Sequence, residues 1–581
     1  MADPEIELPP SPEQMRLRDA APGISDPPKN PVASPHYSTN PTDFDEKFDD
    51  ENDSEESPDS EEEEPGEVVW HYLTYATELP HPTSTCPTRQ GQQPPPEFPN
   101  LKKYTSPFDW PDTRKNMTIY IACIITALTA FSAGSYSPGV AQMTEEWHVS
   151  NVAAYVGITT FTSGFAVAPM VLAPYSEIYG RRPVFIASGV LFVICQLCTG
   201  LTQSYVGMLV VRFFTGVGGS TFSTMVGGVV SDIYHTEDRN TPMALFSGGA
   251  LFGTGWGPLV CGFIAQNTSW RWIFYMQAMV NALAVALICV TFKETRGSVL
   301  LSKKAKKLNA WYAEREAAGY YKVNMPCPSG KGVVPQRIRW KVREDEERGS
   351  LLSMIRVSLF RPFRLLFTEP VVFFFSLWVA FSWAVLYLTL AAIPLVFQRN
   401  HGFSLQQANA VFAAMCVGAI LATIISIYQE RIAKRYGKLV STPEGRLYFA
   451  CIESACMPIG LFMFGWTSFS SIHWIAPAIA VTIATIGIFS IYLSTFNYLA
   501  DTYHRYASSA LAAQSFCRNM LGGVFPLVTR QMYNKLSIGG ASSLLGGIGT
   551  LLTIVPWVLV FYGPKIRRRS KFASEIMTSH G

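Results

Sequence analysis

The sequence predicts an all-α membrane protein: twelve transmembrane helices in two pseudo-symmetric six-helix bundles, behind an acidic and disordered N-terminal tail. Three observations lead there. Long apolar runs recur from about residue 117 onward, every second loop between them is basic, and two short motifs of the first half reappear in order in the second.

The tail is the first element. Of 581 residues, 48% are hydrophobic and 15% charged, against about 25% charged in an ordinary globular chain. The first hundred residues hold 23 of the 44 acids and 5 of the 46 bases, a net −18, which leaves +20 on the rest. The overall +2 is therefore an acidic tail cancelling a basic, apolar body, and net charge gives no argument for nucleic-acid binding. Residues 1–114, rich in Pro, Ser, Asp and Glu, offer too little apolar area to offset their ordering entropy and read as a disordered cytoplasmic tail. Its densest run, Asp43 to Glu64, reads as solvated charge, with Ser60 placed for an acid-directed kinase. The opening MADPEIELPPSPEQ lacks the basic-then-apolar order of a cleavable signal.

Apolar runs follow at about 117–138, 152–174, 183–203, 206–230, 242–266 and 271–292, then at 370–396, 405–428, 446–466, 474–499, 507–530 and 544–562. Each is long enough to cross the hydrocarbon core as a helix. They define a first bundle at 115–292, a hydrophilic central loop at 293–368, a second bundle at 369–564 and a basic C-tail at 565–581. Arg181 and Arg182, Arg239, the group Arg431, Lys434, Arg435, Lys438 and Arg446, then Arg505 and finally Lys565 with Arg567 to Arg569 fall in alternate loops. By the positive-inside rule these loops and both termini are cytoplasmic. The eleven cysteines show neither CxxC nor Cys/His ligand spacing and read as small buried residues, with no metal site.

The halves repeat each other. Tyr179-Gly180-Arg181 after the second span returns as Tyr436-Gly437-Lys438 after the eighth, and Asp232-Ile-Tyr234-His235 after the fourth returns as Asp501-Thr-Tyr503-His504 after the tenth. Two matches in order at equivalent loops indicate a duplicated six-helix unit, the construction secondary transporters use for alternating access.

Four elements carry the chemistry. The fifth span places Gly249, Gly253 and Gly257 four apart, followed by Pro258, Cys261 and Gly262: a face on which a neighbouring backbone can approach closely, with a proline that removes one helix hydrogen bond. The second-to-third loop reads Glu177-Ile-Tyr-Gly180-Arg181-Arg182, with Asp232 at the inner end of span four as the acid these bases would meet. Span four carries Arg212, which costs about 2.5–3.5 kcal/mol to insert and so calls for a cavity or a partner. Glu453 in span nine is the one carboxylate placed inside the hydrocarbon, and it reads either as a proton carrier or as a structural group, simply hydrogen-bonded or paired with Arg518 in span eleven.

These residues resemble the major facilitator superfamily. Gly253-x3-Gly257-Pro258-x2-Cys261-Gly262 is similar to its antiporter motif, with Cys261 for a glycine; the Glu177 to Arg182 loop is similar to its second-to-third loop signature, with Glu177 for Asp and Ile178 for an Arg; and Arg212-Phe-Phe-Thr-Gly216 is similar to its proton-coupling element. Asp109-Trp110-Pro111, Lys293-Glu294-Thr295-Arg296 and Asn497-Tyr498-Leu499-Ala500-Asp501-Thr502-Tyr503 resemble fungal twelve-span drug:proton antiporters, a group that includes polyamine exporters and pumps for fungicides and toxins. The resemblance covers about residues 105–565. It implies efflux by exchange with protons, driven by the proton gradient without a cofactor. It also implies a conformational latch at Glu177, Gly180, Arg181, Arg182 and Asp232, and proton coupling at Arg212, with Glu453 and Arg518 as further candidates.

On that fold the first, fourth, seventh and tenth helices would line a substrate path and contribute Thr129, Ser135, Tyr136, Trp378, Trp383, Tyr387, Tyr492 and Asn497. Aromatic faces beside hydroxyls suit bulky, partly apolar ligands. No GxxxxGK[ST] loop occurs, which argues against ATP-driven transport. The expected partners are the lipid bilayer, lipophilic substrates and protons, with no nucleic acid, and the expected protein is a plasma-membrane monomer, a vacuolar location being the lesser expectation. The rivals are a dedicated polyamine exporter, which would want carboxylates in the cleft, and a ligand-sensing receptor of transporter fold, which would want a folded signalling domain.

Overall fold

A computed structural model describes residues 66–80, 96–235, 238–326, 333–436, 443–503 and 506–569. The chain divides into two units, Met1–Glu64 and Pro65–Gly581. The acidic run at 43–64 with Ser60, the loop carrying Gly437 and Lys438, the His504-Arg505 pair and the last twelve residues lie outside the described residues.

The long apolar runs form helices: α1 Asp112–Gly134, α2 Asn151–Tyr179, α3 Arg181–Leu201, α4 Tyr205–Thr224 (continued by Val226–Ile233), α5 Asn240–Asn267 and α6 Arg271–Thr291. In the second half come α7 Pro370–His401, α8 Ala413–Tyr436, α9 Cys456–Thr467 (preceded by Tyr448–Glu453), α10 Ile475–Tyr503, α11 Ala507–Leu552 and α12 Ile554–Arg569. Ser150 and Ser204 cap α2 and α4 by accepting from the amides of Ala153 and Gly207, and Gly402 ends α7 at φ 66°, where the absence of a Cβ removes the penalty of the left-handed region. Among the described residues eleven helical segments are long and apolar enough to cross a bilayer, the last running Ala507–Arg567 over 61 residues. A helix of that length would reach about 90 Å, about three times the hydrocarbon thickness. Its backbone leaves helical geometry at Ser537 (φ 61°, ψ 168°), so that two helices meet there across a kink.

The bundles meet along two seams, α2 against α11 and α5 against α8. In the first seam Thr159 donates to the carbonyl of Gly523 at 2.7 Å. The halves are also tied at both ends. At the basic end Asn497 donates to Asn240 at 2.8 Å and Thr241 donates to Glu430; toward the opposite end Ser137 donates to the Leu390 carbonyl at 2.5 Å and the Gln406 amide donates to Gln266 at 3.1 Å. Large apolar side chains such as Leu283 and Val290 stay exposed on the bundle exterior, as expected of a lipid-facing surface.

The tail corrects the sequence expectation. Val68–Tyr72 is a strand, β1, which pairs in parallel with β3 (Val333–Lys341) in the central loop, while β2 (Val323–Pro326) pairs antiparallel on the other side of β3. The helix Gly297–Ala317 closes one face of this sheet, so that Leu73, Leu308, Trp311, Ile338 and Trp340 form a second hydrophobic core apart from the bundles. Trp311 also donates to the carbonyl of Pro96, and Phe98 meets its ring edge-on. Nearer the membrane Trp110 is buried under the Arg114 guanidinium, 3.6 Å from the ring centre. The protein is thus all-α in its membrane bundles but carries a small mixed domain built from the tail and the central loop. Composition concealed it because a five-residue strand contributes little to the average of a hundred residues, and each of its residues pairs with one 269 positions later (Val68 with Arg337).

Candidate functional site

At the basic end the latch residues converge on two carboxylates. Asp232, at the end of the α4 continuation, receives Arg181 Nε on one oxygen and Arg296 Nη1 on the other, both at 3.1 Å, with Arg181 and Asp232 almost fully buried. Arg181 also donates to Ser176 at 2.8 Å. Arg181 opens α3, whose first amides have no partner inside the helix. Glu294 supplies one: it accepts from the backbone amides of Arg181 at 2.8 Å, Arg182 at 3.2 Å, Thr295 at 3.1 Å and Arg296 at 3.0 Å. Gly180 makes room for this cap. Its φ is 100°, and a Cβ there would stand 2.2 Å from Glu294 Oε2. Arg182 reaches the Cys289 carbonyl at 2.9 Å. Glu177 is half-buried and acts at longer range: burial works against the charge of Arg296, but Asp232 and then Glu177 hold its pKa above the ordinary arginine value.

The glycine face of α5 lies against α1. A Cβ at Gly253 would stand 2.1 Å from the Ala127 carbonyl oxygen, and one at Gly257 2.4 Å from that of Phe131; at Gly249 the nearest atom, the Cys123 oxygen, is 3.3 Å away. Gly134 of α1 returns the fit, for a Cβ there would meet the Thr254 oxygen at 2.3 Å and Pro258 Cδ at 2.9 Å. Gly262 faces the other way, toward Asn409 just before α8, and Gly248 and Gly255 face Thr423 and Met415 of α8. One helix therefore touches its own bundle on one side and the opposite bundle on the other.

Two arginines occupy the interior. Arg212 is fully buried, donates from Nε to the Gly157 carbonyl at 3.3 Å, and lies over the rings of Phe161 at 4.6 Å, Tyr136 at 4.8 Å and Phe274 at 6.0 Å. Tyr136 turns its hydroxyl to the Ala154 carbonyl, so it offers Arg212 its π face. Arg518 of α11, also buried, sits 4.4 Å from the Trp383 ring and 4.8 Å from Tyr492, two rings 5.0 Å apart. Tyr387 lies within electrostatic range of both guanidinium groups.

A model of the Major Facilitator Superfamily matches residues 122–526. The chain belongs to that superfamily. It is 34% identical over 82% of its length to an MFS transporter, paaT, of Penicillium rubens, whose length it also covers to 82%. It is 32% identical to the multidrug transporter mdrA of Aspergillus fumigatus (81% of this chain, 74% of the relative) and 31% identical to the efflux pump FUB11 of Gibberella moniliformis (78% and 73%). Among solved structures the proton:xylose symporter XylE bound to a glucose analogue has the same fold, with a TM-score of 0.55 at 14% identity over 78% of this chain and 97% of that one. The chain is a multi-pass membrane transporter of this superfamily and not an enzyme.

Within this superfamily fold several expected path residues stand elsewhere. Ser135 belongs to a buried amide network inside the first bundle: it accepts from Gln277, and Gln196 links Ser132, Gln277 and Asn281. Thr129 is buried and returns its hydroxyl to the Ile125 carbonyl. Trp378 is fully buried against Phe375, apart from the Arg518 rings. Asn497 ties the halves at the basic end. Of the readings open for Glu453, the pairing with Arg518 does not form and the hydrogen-bonded one does. Glu453 ends the short helix before α9, half-buried, and accepts from Gln429 of α8. An apolar cavity of about 20 Å³ beneath Tyr533 and Phe464, room for one water, contains neither arginine. Sequence reading missed Glu294 and Arg296 as working parts of the latch. Their signal was present, because a Glu two residues past the last apolar residue of a span and next to a basic loop is available to cap a helix there.

Proposed function

We propose that the protein exports varied lipophilic small molecules, of the drug, fungicide or toxin type, by alternating access in exchange for protons. The observation that carries this reading is the backbone-close seam of α5 on α1 at Gly253 and Gly257, where the antiporter-type motif forms a continuous packing surface reaching to α8 and the opposite bundle. Rocking of two rigid bundles about their seams requires the end-to-end ties to break alternately, Asn497–Asn240 and Thr241–Glu430 when the cytoplasmic side opens, Ser137–Leu390 and Gln406–Gln266 when the outer side opens. The Arg181–Asp232–Arg296 cluster fixes the cytoplasmic ends of the first bundle during that motion. Relatives named as a multidrug transporter and an efflux pump support the direction and breadth of transport.

The proton gradient is the energy source in this reading, with no cofactor and no nucleic-acid partner, and the working unit is a monomer in the plasma membrane with both termini cytoplasmic. The test is efflux of a labelled lipophilic panel from inverted vesicles. An uncoupler should abolish accumulation while ATP depletion at constant gradient leaves it intact; the opposite pattern refutes proton coupling.

A further inference from the structure

Resting on the transport reading above, we propose that the transported compound is an organic anion with an aromatic body, whose carboxylate or similar oxyanion pairs with Arg518 above the Trp383 and Tyr492 rings.

Among the described residues two cations and no carboxylate lie deep between the ends of the spanning helices. Among the described residues the carboxylates of the spanning segments lie near their ends, Asp112, Glu177, Asp232, Glu430, Glu453 and Asp501 (with Glu369 just before α7) toward the basic end and Glu145 and Glu146 toward the opposite end, whereas Arg212 and Arg518 lie deep in the bundle. The two are not equally satisfied. Arg212 bonds a carbonyl through Nε and is enclosed by three rings, which leaves Nη2 as its one buried donor without a partner. Arg518 is 2% exposed, and its Nε and Nη1 have no hydrogen-bond partner; its contacts are the two ring faces. A desolvated guanidinium with open donors is the costly arrangement that natural proteins keep for a ligand.

What fits it follows from the surroundings. An oxyanion gains charge-assisted hydrogen bonds from the open donors in a site from which water is excluded. The ring faces of Trp383 and Tyr492 supply an aromatic wall for the body attached to it. One helical turn on, Gly522 leaves the same face of α11 without a side chain: a Cβ there would meet Trp383 at 3.3 Å and Tyr387 at 3.4 Å. A polyamine would bring like charge to two buried cations, and a neutral lipophile would leave the Arg518 donors as they are.

The test uses purified full-length protein and three labelled probes that share one ring system: 2-naphthalenesulfonate, 2-naphthamide and 2-naphthylmethylammonium. Equilibrium binding is measured in detergent, and gradient-driven transport in proteoliposomes. The wild type should bind the sulfonate most tightly of the three. Arg518→Gln should weaken sulfonate binding by about tenfold or more and amide binding by less than about twofold, the pattern expected when a charge-assisted hydrogen bond is lost. Arg518→Lys, which keeps the charge without the planar fork, should fall between. Equal weakening of sulfonate and amide, or a wild type that prefers the ammonium probe, overturns the proposal. Should Arg518→Gln fail to fold, the ranking of the three probes on the wild type decides alone. Gradient-driven export of the amide without preference for the sulfonate overturns this inference and leaves the transport reading; Arg518-dependent sulfonate binding with no gradient-driven movement of any probe does the reverse.

Discussion

Gly257→Ala should disable transport although alanine is the smallest possible addition. The methyl group would stand 2.4 Å from the Phe131 oxygen and 2.9 Å from the Ser135 amide nitrogen, where ordinary contact begins at 3.4 Å. Both obstacles are backbone, so relief requires α1 and α5 to part by about 1 Å. A gap of that size forfeits about a quarter to a half of each affected contact, and forced overpacking costs about 1–3 kcal/mol. Gly253→Ala meets the Ala127 oxygen at 2.1 Å and should do worse. Gly249→Ala is the internal control: its nearest neighbour is 3.3 Å away, and alanine is up to about 1 kcal/mol better than glycine inside a helix, so it should be neutral or slightly stabilising. The assay is efflux rate per surface-labelled molecule beside thermal unfolding of the purified protein. Wild-type rate and unchanged unfolding for Gly257→Ala would show that the α1–α5 seam is not under steric control, and equal damage from Gly249→Ala would show that the distances do not rank the sites.

Glu294→Ala should lower thermal stability by about 0.5–2 kcal/mol, the usual cost of a lost helix cap, whereas Glu294→Gln, which still accepts, should lose less; unfolding temperatures of the two variants check this. Removing residues 1–64 leaves the whole β1-β3-β2 sheet in place and should not change surface abundance, but removing residues 1–80 takes β1 and Leu73 with it and should reduce abundance severalfold, as read by surface labelling. Glu453→Gln should keep pH-dependent efflux near the wild-type rate, because the carboxylate serves a contact with Gln429 rather than a buried cation; loss of coupling would restore it to the mechanism. Burial raises the Glu316 carboxyl, but hydrogen bonds from Arg337 and Arg339 outweigh that and hold it below the usual carboxylate range. A carboxyl depressed in the folded state stabilises at neutral pH, and the contribution fades as the pH falls below the ordinary value near 4.5 and through the folded one. Amide exchange in β3, corrected for its intrinsic rate, should therefore accelerate on acidification in the wild type and already be fast at pH 7 in Glu316→Gln.

The spanning helices were legible because bilayer insertion is decided by local apolar length, which one sequence displays directly. The latch was legible in part: Arg181 and Asp232 could be paired because each sits at a helix end beside a basic loop. Glu294 was harder, since its role depends on α6 returning beside the start of α3. The pairing of Glu453 with Arg518 failed because a carboxylate within an apolar run looks buried in one dimension, while the short helix ending at this residue leaves it half-exposed next to α8. Asn497 lies near the basic end of α10, where its bond to Asn240 ties the two halves, a contact between helices of different bundles that one sequence does not display. The β1 strand could not be read at all, for its only support is a pairing across the length of the first bundle.

That pairing has a consequence for synthesis. Val68–Tyr72 leaves the ribosome before any membrane helix, yet Arg337–Lys341, the residues it pairs with, follow only after all six helices of the first bundle. The strand must wait, unpartnered, while the bundle is inserted, and the sheet can close only when both flanks of the finished bundle are on the same side of the bilayer. Closing a loop of this length adds little entropy cost beyond that of a much shorter one, so delay rather than stability is the burden. A first bundle inserted with an odd number of crossings would leave β1 and β3 on opposite faces of the membrane and the sheet unformed. The sheet can thus form only in chains whose first half has been threaded with both flanks on one face of the membrane.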